Sequence, residues 1–212
     1  MSRGLLALVA LVATVSALTA AQRLGAISLA SLAASPRQIA EGRLWLLLSS
    51  GAIGSNPVIW SLTSFVVLAV LTLAVCGSRI LWFAVVTGQM FSTLLTYSII
   101  GAARVVDPGA FQRLDSAPDY GVSAICAAWL GAAATVGWRR RRESLGRAAI
   151  VLGCVAVAAL AWFLNGGGLN LLDSEHVFAF VIGIAAASGR VPASGGGRRS
   201  GRVKGRTATA RC

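Results

Sequence analysis

Uncharged apolar runs of membrane-spanning length alternate with polar breaks along most of the chain. Residues 4–21 form a run of 18, close to the ~20 residues with which an α-helix crosses about 30 Å of hydrocarbon. Further runs cover residues 57–77, 80–101, 119–138, 148–164 and about 172–188. The pattern predicts an all-α, polytopic membrane protein with six transmembrane helices in one domain, residues 1–188, followed by a tail, residues 189–212. The first run follows Arg3 and closes on Thr19-Ala20-Ala21, which also suits a cleaved signal peptide. Its apolar stretch is longer than a usual signal core, so a retained helix is preferred.

The breaks differ in character. Residues 22–56 are mixed, with Arg23, Pro36, Arg37, Glu41, Arg43 and Asn56 around the apolar patch Leu44-Trp45-Leu46-Leu47-Leu48. This reads as a loop lying in the interface with Trp45 at headgroup level. Arg79 marks a tight turn. Residues 102–118, with Arg104, Asp107, Pro108, Arg113, Asp115 and Pro118, read as a polar loop, and Asn165-Gly166-Gly167-Gly168 as a hinge-like one.

Composition agrees with the class. Hydrophobic residues make up 56% and charged residues 12%, with a mean hydropathy of +0.76, against roughly 25% charged in a soluble domain. The net charge of +12 is concentrated at Arg139–Arg142 and after Gly189. Cations gather on the cytoplasmic side of membrane proteins, so both blocks, both termini and the Arg79 turn are expected inside a cell membrane crossed six times. The first loop, with three arginines outside, is the exception. The tail is rich in Gly, Arg and Ser and is expected to be disordered and drawn to anionic lipids at about 1 kcal/mol per cation. Nucleic acid is disfavoured as a partner, because no aromatic residue interleaves the basic ones to stack bases. Cys76, Cys126, Cys154 and Cys212 are far apart and share the chain with one histidine, so neither a disulfide framework, a metal centre nor a cofactor is expected.

Candidate chemistry sits where the fourth and sixth runs begin. Asp119-Tyr120-Gly121-Val122-Ser123-Ala124 opens one, and Asp173-Ser174-Glu175-His176-Val177-Phe178-Ala179 opens the other. In the six-helix topology both start outside, with Ser123 and His176 each about one turn in. Small residues follow at helical spacing, Ser123, Ala127 and Gly131 on one and His176, Ala179 and Gly183 on the other, so the two backbones can approach closely. A serine hydroxyl needs a base before it can attack a carbonyl, and imidazole is the base that titrates near neutral pH. Gly121 would let a substrate backbone approach, and amides at a helix start could hold an oxyanion. The plainer alternative is that Ser123 is a packing residue and His176 an interfacial side chain capped by Asp173. Glu175 lies roughly 100° around the helix from His176 and is not expected to orient the ring.

These residues resemble the rhomboid intramembrane serine proteases, whose catalytic serine lies in G-x-S-G and whose histidine lies in A-H-x-x-G-x-x-x-G. The matching stretches are Gly121-Val122-Ser123-Ala124 and Glu175-His176-Val177-Phe178-Ala179 with Gly183. The six-run plan, the long first loop and Gly42-Arg43-Leu44-Trp45, similar to that family's Trp-Arg motif, extend the resemblance over residues 4–188. Asp119-Tyr120-Gly121-Val122-Ser123 is most similar to rhomboid-like proteins of actinobacteria, which implies a bacterial inner membrane. The resemblance implies a six-helix rhomboid-like bundle with Ser123 as nucleophile and His176 as general base, cutting transmembrane substrates near their outer ends. Ala124 and Ala179 stand where the family has glycine, and residues 57–77 contain no H-x-x-x-N, which in the family stabilises the oxyanion. Gln89 and Thr93, at i, i+4 on the third run, are the candidate replacement donors. A rhomboid-like pseudoprotease that binds membrane proteins without cutting them is the alternative.

Overall fold

The computed structural model describes residues 3–140, 144–164 and 173–189. Among these the helices are α1 (Arg3–Arg23), α2 (Pro36–Ala40), α3 (Leu46–Ser49), α4 (Val58–Cys76), α5 (Ser78–Val106), α6 (Pro108–Asp115), α7 (Ser123–Arg140), α8 (Ser144–Leu164) and α9 (Ser174–Ser188). The described residues contain no strand, only an isolated antiparallel bridge between Ala34 and Asp119. Three helices, Gly4–Arg23, Val58–Cys76 and Ser78–Val106, are long and apolar enough to cross a membrane. The other three expected runs are helical as α7, α8 and α9, with Leu145–Val157 and Ser174–Ser188 forming shorter apolar segments. The Asn165–Gly168 loop, Arg141, Arg142 and the tail beyond Gly189 lie outside the described residues.

Two boundaries differ from expectation. Residues 102–118 are largely helical, because α5 runs on to Val106 and α6 starts directly at Pro108. Proline is well suited to a first helical position, where no amide hydrogen is needed, and an Arg104–Asp115 ion pair at 2.6 Å ties α6 back to α5. The fourth run becomes helical only at Ser123, not at residue 119. Asp119 is held extended by paired backbone bonds with Ala34, at 3.0 and 2.8 Å, and Gly121 N donates to Ser50 O at 2.9 Å. Ser123 therefore opens α7 instead of lying a turn inside it.

The first loop is anchored on one side and bare on the other. Ser35 Oγ accepts from Gln38 N and caps α2, with Pro36 at its first position. Leu46, Leu47 and Ile53 are buried, whereas Leu44, Trp45 and Leu48 are exposed. That division is what a loop resting its apolar side in an interface would have.

Trp129 on α7 is the centre of the bundle. Fully buried, it packs its ring 5.0 Å from that of Phe65 on α4 and donates Nε1 to Leu81 O of α5 at 3.1 Å, which satisfies the one polar atom it takes out of water. Val15, Ala69, Ala84, Ile125 and Ala179 close the core around it. The α7–α9 contact is closer still. A Cβ on Gly183 would stand 1.9 Å from Ala128 O, one on Gly131 2.2 Å from Phe180 O, and one on Gly88 of α5 2.5 Å from Ala128 Cβ. Ala128 is thus pinched between α5 and α9. Ala127, half-buried, packs against the main core cluster.

At the far end of α7 two arginines close helix ends. Arg139 donates to Ala187 O at 3.0 Å and Ser188 O at 3.1 Å, and Arg140 to Val75 O at 3.0 Å. These acceptors lie in the last turns of α9 and α4, where carbonyls lack intrahelical donors. Arg139→Ala is expected to lower stability by about 1 kcal/mol, read as a lower thermal midpoint in detergent; an unchanged midpoint would show that the two bonds contribute nothing.

Candidate functional site

The described structure brings Ser123, His176, Gly121 and Gln89 to the wall of one cavity of about 180 Å³, together with Asp119, Asp173 and Glu175. Ser123 is the first residue of α7 and His176 the third of α9, so both stand in first turns at matching levels. The glycine contacts deeper in the α7–α9 interface make that convergence possible. The two side chains share the cavity without a hydrogen bond to each other among the described contacts. His176 Nδ1 lies 3.3 Å from the backbone oxygen of Asp173. A carbonyl can only accept, so in the neutral ring this contact assigns the proton to Nδ1 and leaves the Nε2 lone pair free as a base. Asp173 acts here through its backbone; its side chain makes no capping bond to α9.

Gly121 has φ +141, a conformation that favours glycine, and a Cβ there would lie 3.2 Å from Ser55 Cβ and 3.4 Å from Ser123 Oγ. It keeps the space beside the serine open. Its own amide is committed to Ser50 O, so any oxyanion donors come from the first amides of α7, which have no acceptor within the helix.

Gln89 is 4% exposed and lies over Gly51, where a Cβ would come within 2.6 Å of Cδ. Its Nε2 contacts Ser50 Oγ at 3.4 Å and Thr93 Oγ1 at 3.5 Å, while Oε1 has no hydrogen-bond partner. Thr93 does not line the cavity. Its hydroxyl stands 2.5 Å from Glu175 Oε1 and 2.7 Å from Gln89 O.

Glu175 is the main addition to the residues singled out from sequence. It is 4% exposed and points its carboxyl at α5, where Thr93 and, at 3.5 Å, Ser92 meet Oε1. Thr96 Oγ1 and Ser174 Oγ are 3.3 Å apart. Tyr97 donates to Asp119 Oδ2 at 2.9 Å. The signal was present in the third run: Gln89, Ser92, Thr93, Thr96 and Tyr97 fall at i, i+3, i+4, i+7 and i+8, a polar stripe on one face of an otherwise apolar helix. All five are buried in the structure. Reading two of them as donors to a reacting oxygen overlooked that a whole face needs a partner, and Glu175 and Asp119 are that partner.

In comparisons with known proteins, no family model, no curated protein and no solved structure matches the chain.

Proposed function

We propose that the chain is a six-span, rhomboid-like intramembrane serine protease of a bacterial cell membrane that cuts transmembrane proteins near their outer ends. The observation that carries this is the meeting of Ser123 and His176 in one cavity, with the imidazole held in the tautomer a general base requires. In the proposed reaction His176 Nε2 takes the proton of Ser123 Oγ as that oxygen attacks the peptide carbonyl. The oxyanion is met by amides at the start of α7, with Gln89 close by. His176 then returns the proton to the departing amine, and a water deprotonated by the same ring releases the acyl group from Ser123. Both termini and the Arg139–Arg142 block are cytoplasmic in this scheme, and the basic tail contacts anionic lipids.

A second reading, a pseudoprotease that holds membrane proteins, is favoured by the absence of a Ser123–His176 hydrogen bond among the described contacts and of an H-x-x-x-N motif on α4. Looser catalytic bonds are common before substrate binds, so the protease reading is the one adopted.

Labelling with a serine-directed fluorophosphonate tests it. The detergent-solubilised parent should label, and Ser123→Ala and His176→Ala should not. A folded parent that stays unlabelled leaves the pseudoprotease.

A further inference from the structure

The cavity is acidic. Of the side chains that line it, Asp119, Asp173 and Glu175 carry carboxyls and none is a lysine or arginine. None of the three ion pairs among the described residues involves Asp119 or Glu175. The arginines at the base of α7 are committed to helix ends on the opposite side of the bundle, and Arg104 to Asp115.

The hydrogen bonds to these carboxyls are one-sided. Thr93 and Ser92 both meet Glu175 Oε1, and Tyr97 meets Asp119 Oδ2. No described donor reaches Glu175 Oε2 or Asp119 Oδ1, although both residues line the cavity. Gln89, buried in the same wall, keeps an unpartnered Oε1. Three acceptors around one small space, in surroundings where an uncompensated carboxylate is costly, require donors and positive charge together.

We propose that this cavity receives a cationic side chain, arginine or lysine, of the substrate segment next to the bond being cut. The inference rests on the protease reading and names its substrate class. A planar guanidinium carries several N–H donors in a fixed fork and can bridge two carboxyls, so arginine fits better than lysine. Docked between Asp119 and Glu175, it would bring the neighbouring peptide bond to Ser123 and His176 on the same wall.

Benzamidine is the probe, because it carries the amidinium fork without a peptide bond; benzamide, its neutral isostere, is the control. Full-length protein in detergent is titrated with each, and the thermal midpoint is followed as a function of concentration for the parent, Ser123→Ala, Asp119→Asn and Glu175→Gln. Benzamidine should raise the midpoint of the parent and of Ser123→Ala, and benzamide should not. In Asp119→Asn and in Glu175→Gln, benzamidine should bind at least about tenfold more weakly, as loss of a hydrogen bond to a charged group predicts. Glu175→Gln retains an acceptor for Thr93, and Asp119→Asn one for Tyr97, so folded variants are expected; should one fail to fold, the other decides.

Equal shifts with benzamide and benzamidine, no shift with either, or benzamidine shifts that persist in both carboxamide variants would overturn the cation site. The readout needs no turnover. An unlabelled parent that still binds benzamidine through Asp119 and Glu175 rejects the protease but keeps the cation site, whereas a labelled parent indifferent to benzamidine does the reverse.

Discussion

Gly183→Val is expected to yield little folded protein. Even the single Cβ of alanine at this position would stand 1.9 Å from Ala128 O and 2.8 Å from Ala128 C, both backbone atoms. Neither can rotate away, so α9 must move off α7. Overfilling a packed interface typically costs about 1–3 kcal/mol per small insertion, which sets the expectation for Gly183→Ala; valine adds two more methyl groups. The total approaches the roughly 5–15 kcal/mol by which whole domains are stable. Ala128 is also against Gly88 of α5 on its other side, so it cannot retreat. Gly101→Ala in α5, where a Cβ meets nothing within 4 Å, is the control, and helix propensity predicts a gain of up to about 1 kcal/mol there. Size-exclusion profiles and thermal midpoints in detergent read all three. A Gly183→Ala protein as stable as the parent would mean that α7 and α9 are not packed backbone to backbone.

His176→Ala should slow fluorophosphonate labelling of Ser123 by at least about 10²-fold, within the 10²–10⁴ range usual for general-base assistance, while the thermal midpoint stays close to that of the parent. The ring is only half-buried, and its described hydrogen-bond contact is to Asp173 O, so its removal leaves the helix contacts intact. A rate unchanged by the substitution would show that Ser123 reacts without the imidazole. A large fall in the midpoint would instead assign His176 to structure. The separation of rate from stability is what distinguishes a base from a packing residue, and it contrasts with Gly183, where both should fall together.

The convergence of Ser123 and His176 was legible in outline before any coordinates. Two polar helix entries with small residues behind them could meet, and Gly131 and Gly183 do lie at a backbone-to-backbone contact. The partner of Gly183 is Ala128, one position from the Ala127 placed in the stripe. Several residues between Ala124 and Gly131 are small, so spacing alone leaves more than one face available. Glu175 was set aside because it faces away from His176 on the same helix, which is true of a helix in isolation. Its partners, Ser92 and Thr93, are on α5, more than 80 residues earlier, and no local pattern in α9 names them.

The sequence by itself determined the helical class, the membrane character and the positions of the long apolar helices, because burial in hydrocarbon acts on each segment independently and leaves its mark in local composition. It also determined that one serine and one histidine stand at helix entries. Only the tertiary structure decided that Asp119 is drawn into a bridge with Ala34, so that α7 begins at Ser123, and that Glu175 and Asp119 answer the polar face of α5 at the wall of the cavity. Those outcomes depend on which backbones come within a few ångströms of one another, a pairing between distant segments that the composition of neither segment specifies.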